Sequence, residues 1–262
     1  MINAKYTLGA LMSIPLLPLL YVQGKRIRAS IPDLPEAINP EGKVDLNAAQ
    51  TIQVLTVGES TIAGVGVETH QEGFSGTLAH TLAHKLQKNV HWKVYAKSGY
   101  TAQDVKNRIT PTIQEEAVDL MVIGLGGNDA FKLNHPKRWR SQVNALVQAI
   151  REKYPQTPIV FNNMPPIKTF PAFTPSIKFV IGNLVEILGK ELELLCHTLP
   201  NVHYHSRVIT LEDWIHRLQV NAEPKDFYSD GVHPSKLAYQ IWARDMVNFM
   251  MENEVFQHQD AD

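Results

Sequence analysis

The chain has 262 residues, of which 44% are hydrophobic and 19% charged, a balance typical of a folded domain and not of a disordered chain. Lysine and arginine number 25 against 26 aspartate and glutamate residues, so the chain has no basic field to recruit nucleic acid, and no nucleic-acid partner is expected. The single cysteine, Cys196, excludes an internal disulfide.

The first predicted element is an apolar segment, Tyr6 to Val22, whose 17 residues are all uncharged. As a helix it would span about 25 Å against about 30 Å for a bilayer core, and Pro15 and Pro18 interrupt it. Three basic residues follow it, a bias that would keep the rest of the chain on the cytoplasmic side of a membrane, and no signal-peptide cleavage site is evident. Residues 1–30 are therefore interpreted as a membrane anchor or an apolar packed arm, and residues 31–48, with three prolines, as a linker.

From residue 49 to residue 262, strand-like runs alternate with segments of helical spacing, which predicts one domain. The predicted strands are Thr51–Val57, His91–Tyr95, Leu120–Leu125, Pro158–Asn162 and Val202–Tyr204. Helical spacing is seen at Leu78, Leu82 and Leu86, and at Val143, Leu146, Val147 and Ile150. Such alternation predicts a three-layer α/β/α sandwich with a central parallel sheet, in which ligands lie beyond the carboxyl ends of the strands.

A serine follows the first of these strands, in Gly58-Glu59-Ser60, and Asp230-Gly-Val-His233 lies near the other end of the chain. A serine hydroxyl needs an imidazole to take its proton, and that imidazole needs an acid to fix its tautomer. The pattern predicts Ser60 as nucleophile, His233 as general base and Asp230 as the orienting acid. Taken singly, each motif is equally typical of a helix cap or a turn.

Two further strands end in segments that can stabilise negative charge on a carbonyl oxygen. Gly99 follows the second strand and can present its backbone N–H at close approach, and Asn128 follows the third in a glycine-rich turn. With the N–H of Ser60 they would supply three oxyanion donors, each typically worth about 2.7–4 kcal/mol.

Together these segments resemble the SGNH (GDSL-like) hydrolases of lipase and esterase type, a family named for its serine, glycine, asparagine and histidine. The resemblance rests on Ser60, Gly99, Asn128 and His233, with Asp230 as the third triad member, and covers about residues 52 to 250. It implies a flavodoxin-like strand order. The chain departs from the family at Glu59, where aspartate is usual.

The resulting functional hypothesis is a carboxylic ester hydrolase that acts on short to medium acyl esters through an acyl-enzyme. An acyltransferase or a carbohydrate deacetylase would use the same site, and a catalytically silent, membrane-tethered binding protein would keep only the fold. The expected partner is a small-molecule ester, and residues 6–22 are expected to associate with a membrane if they form an anchor. The sequence gives no indication of the oligomeric state.

The segment from Asn163 to Pro175 has four prolines and is too apolar for an idle surface loop. Because it follows the fourth strand, on the side where Ser60 must lie, it is interpreted as a wall of the acyl pocket, with a core-covering connection as the alternative. The candidate substrate-binding side chains are Met164, Ile167, Phe170 and Phe173.

The 11 histidines do not form a convincing ligand set for a metal. His203 and His205 share one face of a strand but lack a compact third ligand, and His80 and His84 lack the intervening glutamate of a zincin. The sequence therefore predicts no cofactor and no metal.

Overall fold

The computed structural model describes residues 2–217, 219 and 221–256, and in them a six-stranded sheet lies between two layers of helices. The strands are β1 (Glu41–Val44), β2 (Thr51–Gly58), β3 (Asn89–Ala96), β4 (Leu120–Gly124), β5 (Ile159–Phe161) and β6 (Val202–Tyr204). The α-helices of the described residues are α1 (Ile2–Ser13), α2 (Leu17–Ser30), α3 (Phe74–Leu86), α4 (Ala102–Asp104), α5 (Gly127–Phe131), α6 (Pro136–Lys153), α7 (Pro175–Cys196), α8 (Leu211–Arg217) and α9 (Lys236–Glu252).

The strand order is β1-β3-β2-β4-β5-β6, and every neighbouring pair is parallel except β1 with β3. Counted in chain order without β1, the parallel strands follow the flavodoxin-like order 2-1-3-4-5. The predicted sandwich with a central parallel sheet is confirmed.

The central strand β2 shows why the sheet carries helices on both faces. Successive side chains of a strand point to opposite faces. Leu55 and Val57 pack into the core formed with α6 and α7, whereas Ile52 and Val54 pack into the core formed with α3 and α9. Since both faces of β2 are covered, its sequence is an almost continuous apolar run.

The edge strand β1 is not predicted by the sequence and lies inside the segment interpreted as a linker. Its four residues include a single large apolar side chain, Val44, which is typical of an exposed edge. The strand pairs with β3 from Glu41 opposite Lys93 to Val44 opposite Val90, and Gly42 lies directly against the indole of Trp92. Residues 41–44 therefore belong to the sheet.

The N-terminal helices α1 and α2 form an arm that packs on α7 and is interrupted by a 3₁₀ turn, Ile14–Leu16. The hydroxyl of Thr174 donates a hydrogen bond to Oε1 of Gln23 (2.7 Å), and the ring of Tyr6 contacts that of His135. By length and composition, Tyr6–Ser30 is apolar enough to cross a membrane, as a signal sequence at this position would also be. The exposed apolar side chains of the arm are Leu8, Leu11, Met12, Ile14, Leu17, Leu19, Tyr21 and Val22.

Candidate active site

Three of the predicted site residues follow the carboxyl ends of adjacent strands. The ends of β2, β3 and β4 are aligned, with Gly58 in register with the last residues of both neighbours. Ser60, Gly99 and Asn128 each lie two to four residues beyond these ends. The sheet therefore brings them to one edge, as the sequence predicts.

Ser60 lies in a tight turn that begins directly after β2. The Glu59 carbonyl accepts hydrogen bonds from the N–H groups of Ile62 (2.9 Å) and Ala63 (2.8 Å), and the Ser60 carbonyl accepts one from Val65 (3.1 Å). Ser60 remains partly exposed while Glu59 and Ile62 are buried. The turn thus leaves the serine accessible at the strand tip.

Asp230 and His233 meet in the loop that precedes α9. Nδ1 of His233 lies 2.7 Å from Oδ2 of Asp230, and Oδ1 of Asp230 accepts hydrogen bonds from the N–H groups of Val232 (2.9 Å) and His233 (2.7 Å). Burial opposes ionisation of Asp230, but the hydrogen bonds from His233 and Val232 outweigh it and hold its pKa below the usual value. An ionised Asp230 favours the tautomer that carries its proton on Nδ1, which leaves Nε2 of His233 available as a base.

The His233 loop is held against the Ser60 turn by two contacts. The buried hydroxyl of Tyr239, in α9, donates a hydrogen bond to the carbonyl of Val65 (2.8 Å). A Cβ at Gly66 would lie 2.5 Å from the carbonyl oxygen of Pro234, so the two backbones touch. The segments that carry the candidate nucleophile and base are therefore adjacent.

Glu59 is buried and joined to the Asn128 turn. Its Oε1 accepts a hydrogen bond from the N–H of Gly127 (2.9 Å), and its Oε2 accepts bonds from the N–H (3.0 Å) and Nδ2 (2.7 Å) of Asn128. Nδ2 of Asn128 also donates to the carbonyl of Tyr100 (3.1 Å), so two acceptors fix the orientation of the amide. Burial raises the pKa of Glu59 to about 7, against the opposing effect of its N–H donors.

Sequence reasoning treats Glu59 only as a neighbour of the nucleophile and misses this role. The available signal is a carboxylate at the end of an apolar strand, where it must be buried. Its partners lie on a different strand end and cannot be read from local sequence.

Gly99 is exposed in the turn after β3 and has a φ of +83°, a conformation that strains any residue with a side chain. A Cβ placed there would meet no atom within 4 Å. The turn is fixed by Glu36, whose Oε1 accepts the N–H of Ser98 (2.7 Å). A ligand can therefore approach the Gly99 backbone closely.

The four side chains predicted to line an acyl pocket are all buried: Met164, Ile167, Phe170 and Phe173. Phe170 lines a cavity of about 50 Å³ together with Thr61 and Val232, which are the chain neighbours of Ser60 and His233. Met164 and Ile167 line a separate groove against α7, and Phe173 packs on the ring of Phe170. Of the four, only Phe170 lines the cavity beside the site.

Of the histidines considered as metal ligands, His205 lies beside an aromatic ring and a carboxylate. His205 is buried and stacks on Phe249, with ring centroids 4.5 Å apart, and its Nε2 lies 3.5 Å from Asp245. Across residues 2–217, 219 and 221–256, no group of three or more histidine, cysteine, aspartate or glutamate side chains is arranged to hold a metal ion.

A model of the GDSL-like lipase/acylhydrolase family matches residues 56–241, which is more than half of the chain. The chain belongs to this family. The resemblance drawn from Ser60, Gly99, Asn128 and His233 is confirmed, and membership of this lipase/acylhydrolase family makes the chain a serine esterase.

Solved structures share the fold of this GDSL-like esterase at low sequence identity. A lipase from a goat rumen metagenome is 19% identical with a TM-score of 0.55, and the match covers 75% of this chain and 96% of that one. A Clostridium thermocellum family 3 carbohydrate esterase is 15% identical with a TM-score of 0.56, and the match covers 78% of this chain and 97% of that one. The psychrotrophic esterase EstA from Pseudoalteromonas sp., which has a structure inhibited by monoethylphosphonate, is 16% identical with a TM-score of 0.53. The match covers 78% of this chain and 98% of that one. No curated protein sequence matches the GDSL-like chain significantly.

Proposed function

We propose that this GDSL-type esterase hydrolyses carboxylic esters of short to medium acyl chain through an acyl-enzyme formed on Ser60. The observation that carries the proposal is the Asp230–His233 pair, joined at 2.7 Å in a loop that touches the Ser60 turn. A buried acid, a partly exposed imidazole and an accessible serine at a strand tip are the groups that nucleophilic acyl transfer requires.

In the proposed reaction, Oγ of Ser60 attacks the ester carbonyl while Nε2 of His233 takes the hydroxyl proton. The protonated imidazole returns that proton to the leaving alkoxide as the C–O bond breaks, which leaves the acyl group on Ser60. Water then attacks the acyl-enzyme, with His233 again as the base, and releases the acid. Asp230 stabilises the imidazolium in both halves.

The oxyanion formed in each half is assigned to three donors, the N–H groups of Ser60 and Gly99 and the side chain of Asn128. Both Nδ2 protons of Asn128 already have acceptors. The longer bond, to the carbonyl of Tyr100, is the one that the oxyanion replaces, while the bond to Glu59 keeps the amide in place. Such a donor acts mainly in the transition state and therefore contributes to kcat.

The test of this function is covalent labelling with a fluorophosphonate probe combined with ester hydrolysis. The wild-type chain should be labelled on Ser60 and should hydrolyse a soluble p-nitrophenyl ester, and Ser60→Ala should lose both properties. Ser98→Ala, at an exposed serine close to the site, is the matched control and should keep both. Full hydrolysis by Ser60→Ala would refute the assignment.

The N-terminal arm is proposed to attach the esterase domain to a membrane. Its exposed apolar side chains continue along both α1 and α2, and basic residues follow within α2. Burial of such a face in the bilayer interface, or of the whole segment in the hydrocarbon core, removes this surface from water. The alternative is that residues 1–30 only pack on α7.

A further inference from the structure

A small apolar cavity lies between the Ser60 turn and helices α8 and α9. Its volume is about 50 Å³. Thr61 and Val232 stand on the side of the candidate catalytic residues, and both are partly exposed. The other lining residues include Ile209, Trp214, Phe227 and Trp242, and all four are buried.

The polar groups of the larger lining side chains already have partners. Nε1 of Trp214 donates a hydrogen bond to Oδ2 of Asp245 (3.3 Å), and Nε1 of Trp242 donates one to Oδ1 of Asn163 (2.9 Å). The hydroxyls of Tyr228 and Thr169 are hydrogen-bonded at 2.7 Å. These groups leave hydrocarbon and aromatic carbon to face an occupant, which favours an aliphatic ligand over a polar one.

We propose that this cavity is the acyl subsite of the enzyme and that it limits the acyl chain to about the length of butyryl. The assignment rests on the proposed function, because it places the ester carbonyl at Ser60 between the Thr61 and Val232 sides of the cavity. A cavity of about 150 Å³ holds a benzene molecule of six carbons, so about 50 Å³ accommodates about two. Two carbons beyond the methyl of acetyl give butyryl.

The side chain assigned to the end of the subsite is Trp214, which lines the cavity from α8. It is 5% exposed, its ring lies against that of Phe227 with centroids 6.1 Å apart, and its indole N–H is tied to the buried Asp245. A buried side chain held by a ring contact and a hydrogen bond does not yield readily to a longer acyl chain. Each methylene that fits should raise kcat/KM about fourfold, and each that does not fit should lower it.

The experiment measures kcat/KM on p-nitrophenyl esters from acetyl to decanoyl. For the wild-type chain we expect a rise of about fifteenfold from acetyl to butyryl and a fall of about tenfold or more by octanoyl. Trp214→Ala should move the optimum to a chain at least two carbons longer. Leu211→Phe, at a half-exposed lining position, should lower the ratio of butyryl to acetyl activity by about tenfold, and it covers the case in which the tryptophan variant does not fold.

Ile215→Phe is the matched control, since Ile215 lies on the same helix as Leu211, is also partly buried and does not line the cavity. Its chain-length profile should equal that of the wild type. A second series with a fixed acetyl group and alcohols of increasing length should show no comparable optimum.

Two results would overturn the subsite while leaving the esterase function intact. One is a chain-length profile that neither Trp214→Ala nor Leu211→Phe alters. The other is a length optimum in the alcohol series that Leu211→Phe alters, which would assign the cavity to the leaving group. Absence of both ester hydrolysis and Ser60 labelling in the wild type would instead refute the proposed function itself.

Discussion

Replacement of Glu59 by glutamine tests the buried carboxylate that joins the Ser60 turn to the Asn128 turn. The side chain is 5% exposed and accepts three hydrogen bonds from Gly127 and Asn128. Glutamine keeps the volume but has one acceptor oxygen, and its amide nitrogen must face at least one N–H donor. Each buried N–H left without an acceptor costs about 1–3 kcal/mol.

The pH dependence of this substitution has a definite sign. Burial raises the pKa of Glu59 from its ordinary 4.5 to about 7, so between these pH values the folded chain holds a proton that the unfolded chain has lost. The contribution of Glu59 to the free energy of unfolding therefore falls as pH rises through this window, by about 3 kcal/mol in total. Glutamine does not titrate and lacks this fall.

The assay is urea unfolding of the wild type and Glu59→Gln at intervals from pH 4.5 to pH 8. We expect Glu59→Gln to gain about 3 kcal/mol of stability relative to the wild type between pH 4.5 and pH 8. Glu59→Asp, which keeps a titrating carboxylate, is the control. Parallel stability profiles for the wild type and Glu59→Gln would refute the reasoning, because they would show that Glu59 does not titrate in this window.

Four further predictions follow from the site and the arm. Asn128→Ala should lower kcat by about 10²–10³ with little change in KM, measured by steady-state hydrolysis, and a change confined to KM would contradict its role as an oxyanion donor. Asp230→Asn should lower kcat by about 10³–10⁴ while Ser60 stays in place, because the imidazole loses its tautomer control; near-normal turnover would argue against the dyad. Gly66→Ala should reduce the free energy of unfolding by more than the about 1–2 kcal/mol expected for Gly99→Ala, since both have positive φ but only the first meets a backbone oxygen, and equal losses in urea would contradict that contact. Removal of residues 1–30 should shift the protein from the membrane fraction to the soluble fraction and leave ester hydrolysis largely intact, whereas equal partitioning of both forms would show that the arm only packs on α7.

The sheet and the strand-end residues could be predicted because a parallel strand buried on both faces is an unbroken apolar run. Such runs mark β2 and β4, and their ends locate Ser60 and Asn128. The edge strand β1 escapes the same reasoning, since Glu41-Gly-Lys-Val44 is alternately exposed and its pairing with β3 depends on residues far along the chain. Propensity carries little information for a strand of that kind.

The cavity proposed as the acyl subsite could not be predicted for a different reason. Its lining comes from the Ser60 turn and from residues 165–170, 209–214 and 227–242, and no local pattern specifies how four separate segments pack. The sequence identified the apolar, proline-rich segment 163–175 and favoured four of its side chains as pocket lining over a core-covering role, whereas three of those four pack elsewhere.

The hydrogen bond from Tyr239 to Val65 also links catalysis to the order in which the chain is made. Strand β2 and the Ser60 turn leave the ribosome before the Asp230–His233 loop and α9, which follow them by more than 150 residues. On the proposed mechanism, a nascent chain carries its nucleophile without a base and cannot turn over an ester. On that mechanism, activity requires α9 to be packed on α3, with the histidine loop against the serine turn. Ester hydrolysis thus reports completion of the fold from β2 to α9.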